Sequence, residues 1–158
     1  MSKNTSESLG DFLFHKIEHS DMMSGFIVGH LVLENLLLRG IERYDNKIGA
    51  YASKLKFSGI TEMALQLEVI NQKEKAVFDS INKIRNKFAH DLHYQPLRTD
   101  LLNIFKSAAT AFSDMTDGLS QGVETLSDPN WTYEPGDYTL SDLFIQIAYD
   151  ISEADDWV

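Results

Sequence analysis

Arg85, Asn86 and His90, within "INKIRNKFAHD" at residues 81–91, bring side chains suited to phosphate chemistry into one short stretch. A guanidinium stays charged and offers forked donors to phosphate oxygens. An imidazole titrates near neutrality and can give or take a proton. RNA carries its own nucleophile, the 2′-hydroxyl beside each phosphodiester. Its cleavage needs a base for that proton, an acid for the leaving 5′-oxygen, and positive charge on the non-bridging oxygens. Arginine and histidine meet these needs without a metal, and asparagine can orient either of them. The same residues also suit a plainer role, because Arg85, Lys87 and His90 at a helix C-terminus would each gain about 0.3–1 kcal/mol from its dipole.

Spacing leaves the geometry open. On a continuing α-helix Asn86 and His90 share a face, whereas Arg85 and His90 point about 140° apart. Convergence on one phosphate requires a helix that ends or distorts near Ala89, or two chains that each supply a copy. Lys87 within the segment, and His93 and Tyr94 just beyond it, are candidate RNA contacts. His30 and Glu34 stand four residues apart on an apolar helix and read best as a buried polar pair. Glu34 would support the site if it reaches the Arg85 region. Further ligands are missing, so no metal or other cofactor is expected. Trp131, Tyr133 and Tyr138 could form a stacking platform, but their loop holds no basic residue, which favours packing or a protein contact.

The elements that must position these residues read as helices. Residues 8–20 are a short amphipathic helix, and residues 22–44 carry apolar side chains around most of the circumference, as a helix surrounded by others would. Gly25 and Gly29 in that helix would let a neighbour approach closely. Residues 45–57 read as a polar connection, with Ser58 or Thr61 capping a helix over "ITEMALQLEVI". "NQKE" reads as a turn. Val77, Ile81, Ile84 and Phe88 then fall at steps of four, three and four, one apolar seam on the helix that carries the motif. Pro96 bounds a further helix over about 97–116. Residues 117–139 are rich in Gly, Pro, Asp and Ser and read as a long loop with a small hairpin around "EPGD". Ser141 is expected to cap a final helix. The whole reads as an all-α bundle of four or five main helices.

Length suits one domain over residues 1–158, with a motif-bearing core at about 22–116 and an acidic loop and C-terminal helix at 117–158. Cysteine is absent, which excludes disulfides and thiolate metal sites. The polar N-terminal stretch and the interrupted apolar run at 25–41 point to a cytoplasmic protein without a membrane span. Net charge is −10, yet residues 39–106 hold 12 Lys and Arg against 8 Asp and Glu, a local +4. Residues 107–158 hold 11 acids and no Lys or Arg. The middle of the chain can therefore meet a phosphate backbone that the tail would repel.

The stretch "INKIRNKFAHD" resembles the signature of the HEPN superfamily, small helical proteins that share Arg, four to six residues, then His, often with a polar residue after the Arg. The likeness extends through "GHLVLENLLLRGIERY" and "KLKFSGITEMALQLEVINQKEKAVFDSINKIRNKFAH", similar to helical proteins of the mannitol-operon-repressor type, and covers about residues 22–106. It implies an all-α homodimer in which two Arg-x4-His motifs line one cleft. It also implies metal-independent RNA cleavage, often by toxins or phage-defence proteins, with an antitoxin or other protein as a further partner. Matched by position, Arg85 and His90 would be catalytic and Asn86 supporting. One subgroup has Tyr two residues after the His, where this chain has Leu92, with Tyr94 two further on. Some members are inactive scaffolds and the repressor-like branch is regulatory, so a non-catalytic interaction module is the alternative expectation.

Overall fold

In the computed structural model, residues 7–153 and 156 are described. Eight α-helices and no strand occur among them: α1 (Leu9–Ile17), α2 (Met22–Tyr44), α3 (Asn46–Ala52), α4 (Phe57–Gln66), α5 (Gln72–His90), α6 (Arg98–Ala111), α7 (Gly118–Leu126) and α8 (Thr139–Ile151). The all-α expectation holds.

The centre of the bundle is α2, as its all-round apolarity requires. It packs against α1, α4, α5 and α8, with α3 folded back along its C-terminal part, where Gly49 lies against Glu42. Phe26 of α2 meets Phe144 of α8 edge-on at 5.5 Å and Phe88 of α5 at 5.9 Å, so one ring joins three helices. The two glycines of α2 act as expected. A Cβ at Gly29 would collide with the Phe144 ring, and one at Gly25 would lie 2.7 Å from Leu140, so α8 sits directly on the α2 backbone. One hydrophobic cluster draws on all eight helices. By length and composition α2 could cross a membrane, but 56% of its most apolar window is buried inside the bundle.

Several boundaries differ from the sequence reading. The polar connection after α2 contains α3, because the Asp45 side chain accepts from the backbone N–H groups of Lys47 and Ile48 and starts a new helix. Lys56, not Ser58 or Thr61, is the N-cap of α4 and makes no side-chain cap; Ser58 and Thr61 lie inside the helix. "NQKE" is the start of α5 rather than a turn, with Asn71 and Glu74 closing a reciprocal capping box. Only the first part of the expected 97–116 helix forms, ending at Ala111. The supposed long loop holds α7, and "EPGD" forms a turn at Gly136 with no strand on either side. Tyr138 precedes α8, and the Ser141 hydroxyl bonds back to the Tyr138 carbonyl at 2.9 Å instead of capping.

Candidate functional site

The helix that carries the motif is held along its whole length. Its apolar seam of Val77, Ile81, Ile84 and Phe88 is buried. Lys75 reaches Asp79 at 2.7 Å and Glu62 of α4 at 3.7 Å, which ties its first turns down. The helix continues without a break to His90, and Asp91 is its extended C-cap.

That continuity decides how the motif is displayed. His90 and Asn86 are exposed and line one open groove of about 500 Å³, together with Lys83, Lys87 and Tyr94. Asp79 and Asp91 border it too, but Asp79 is paired with Lys75, and Asp91 accepts the His93 backbone N–H at 2.9 Å. Arg85 is half-buried and does not line the groove. Its Nη1 donates to Asn86 Oδ1 at 3.3 Å, its one hydrogen bond among the described residues, and it makes no ion pair there. Arg85 and His90 of one chain therefore do not converge, because α5 neither ends nor bends between them. The first of the two geometries left open by spacing, a helix that ends or distorts near Ala89, is not the one α5 adopts.

The remaining site candidates divide. Lys87 lies over the Tyr94 ring at 5.4 Å, and Tyr94 packs edge-on against Phe88 at 5.1 Å. His93 is exposed and lines none of the grooves around Tyr94. Glu34 does not pair with Arg85; its Oε2 lies 3.9 Å from Nδ1 of the buried His30. The buried-pair reading of His30 needs a different partner, since its Nε2 meets Asn82 Oδ1 of α5 at 2.9 Å while its ring packs on Phe57 at 4.1 Å. Burial pushes the His30 imidazole below its ordinary value, the Asn82 hydrogen bond works against that shift, and the nearby Arg85 charge adds to it. No group of three or more His, Asp or Glu close enough to hold a metal ion occurs among the described residues.

Sequence reasoning overlooked Lys83 and Asn82. Both were findable by helical spacing: Lys83 precedes Lys87 by four and Asn86 by three, so it had to share the His90 face. Asn82 follows Ile81 of the apolar seam, at the border where α5 meets His30 of α2. No protein-family model, curated protein or solved structure matches this chain.

Proposed function

We propose that the chain is a metal-independent RNA endonuclease of the HEPN kind that works as a homodimer. The observation that carries the reading is an exposed imidazole at the tip of α5, on a face that also holds Asn86, Lys83 and Lys87 around an open groove. In the reaction the 2′-oxygen attacks phosphorus, its proton passes to a base, the P–O5′ bond breaks, and the 5′-oxygen takes a proton. His90 serves one proton transfer, and Arg85 from the second copy steadies the charge on the non-bridging oxygens. The products are a 2′,3′-cyclic phosphate and a 5′-hydroxyl.

The test is incubation of single-stranded RNA with the purified chain in EDTA. Cleavage should persist in wild type and vanish in both Arg85→Ala and His90→Ala while the helical circular dichroism is kept. Intact RNA with wild type, or cleavage indifferent to both substitutions, would sink the proposal.

One observation favours a second reading, a non-catalytic interaction module. Arg85 is half-buried and does not line the His90 groove, so the arginine of the motif could serve the packing of α5 instead of a substrate. His90 separates the two. A bracing His90 would cost about 1 kcal/mol or more when replaced by Ala, whereas a solvent-facing catalytic one should change folding by less than about 0.5 kcal/mol.

A further inference from the structure

Three open cavities meet at Tyr94. The first is the His90 groove. The second, about 210 Å³, lies between α5 and α6 and is bordered by Lys83, Lys87, Asn103 and Ser107. The third, about 550 Å³, runs from the α5–α6 connection to the loop after α7, and its walls are Phe88, Leu92, Pro96, Trp131 and Tyr133. Tyr94 borders all three, and its hydroxyl is the one buried side-chain polar atom among the described residues without a hydrogen-bond partner.

Two requirements of an unpaired polynucleotide thus lie side by side, amine charges that can track phosphates and flat rings on which a base can stack. The loop's lack of basic residues ceases to count against stacking, because the charge arrives from other elements. Arg98 at the start of α6 lines the aromatic cleft together with Asp21, whose carboxylate is engaged by the Ser24 N–H, and Lys87 lies over the Tyr94 ring. The rings are also held before any ligand arrives. Trp131 Nε1 donates to Asp137 Oδ2 at 3.1 Å, and the Tyr133 hydroxyl donates to the Ser20 carbonyl at 2.7 Å. Their centroids are 6.5 Å apart at 60°, which makes a tilted wall rather than a parallel clamp. A base would lie against this wall. Duplex bases, stacked and paired, have no free face to offer it.

We propose that the Trp131–Tyr133 cleft binds a base of single-stranded RNA whose backbone passes Lys87 into the groove that Lys83 and Lys87 share with His90. The choice of RNA as the polymer rests on the nuclease reading; the cleft's preference for a flat base does not.

The experiment measures anisotropy of a labelled six-nucleotide RNA carrying 2′-O-methyl groups throughout, which removes the internal nucleophile and prevents cleavage. It is compared with an abasic backbone of equal length and with a duplex. The base-bearing single strand should bind at least about tenfold tighter than either. Trp131→Ala should erase that preference, and so should Leu92→Glu, a substitution at a rim position 79% exposed that leaves the core intact. Lys87→Ala should weaken base-bearing and abasic strands alike. Equal affinity for the two strands, or a preference that survives both cleft variants, overturns the proposal. So does Trp131-dependent capture of a proline-rich peptide with no base-dependent binding of RNA, since the cleft would then be a peptide groove. Base-dependent binding together with uncut natural RNA would remove the nuclease reading and leave the cleft standing, whereas cutting without base preference would do the reverse.

Discussion

His30 shows how one buried group sets conditions on the fold. It is 5% exposed, bonded to Asn82, packed at a tilt on Phe57, and close enough to Arg85 to feel its charge. Glu34, whose carboxylate is 3.9 Å from Nδ1, is the one acid that approaches the ring among the described ion pairs. Burial holds the folded-state value below the 6.5 of an ordinary histidine, so as pH falls the unfolded chain takes up this proton first. The contribution of His30 is therefore complete above about pH 6.5 and declines below it. The carboxyl groups of Asp142 and Glu74, both raised chiefly by burial, act with the opposite sign, because the folded state there binds its proton first. Comparison with a variant isolates the histidine. The urea midpoint of wild type should fall relative to that of His30→Gln as pH drops from 7.5 to 5.5. Parallel pH profiles would mean that His30 is not held neutral.

Among the helices, what was legible in the sequence depended on the strength of the apolar repeat. The long helices α2 and α5 announced themselves because each carries a continuous seam of large side chains, and the close contact of α2 with α8 was foreshadowed by Gly25 and Gly29. Replacing Gly29 with Ala should therefore destabilise the protein by about 1–3 kcal/mol, the usual cost of overpacking a filled contact. Unchanged denaturation would show that α8 does not seat there. Two short helices, α3 and α7, were hidden for physical reasons, whereas α1 and α4 were legible. In α7, "GLSQGVETL", the N-cap Asp117 makes no side-chain cap; Asp114, in left-handed conformation, reaches over to the N–H groups of Leu119 and Ser120. Packing fixes the rest, with Leu119 and Leu126 buried and Gly122 pressed against the Phe105 ring. Such a helix depends on tertiary contact more than on its own pattern. Several carboxylates of the acidic tail serve backbone donors: Asp137 takes the Thr139 N–H, Asp150 that of Ser113, and Asp128 that of Asn130.

At the scale of the whole molecule, Arg85 and His90 of a single copy do not line one groove. Helix spacing already implied that Arg85 and His90 diverge by about 140° on a regular helix, and the unbroken run of α5 to His90 removes the local escape from that divergence. What the sequence left open was whether the helix would yield, because its C-terminal end has Asp91 rather than a glycine or proline to mark it. Exposed Ile27 and Leu31 on α2, 43% and 57% accessible, share a face with Glu34 and offer apolar area where a second copy could seat. If the productive pair is Arg85 of one copy with His90 of the other, two dead variants should rescue each other. Arg85→Ala and His90→Ala, unfolded together and refolded at equal concentration, would form about half heterodimers, each with one intact cross-pair, and recover about a quarter of wild-type cleavage. Either variant refolded alone should stay inactive. A mixture as dead as its components, with heterodimers verified by mass, would place Arg85 and His90 in separate roles and leave no shared cleft for them to form.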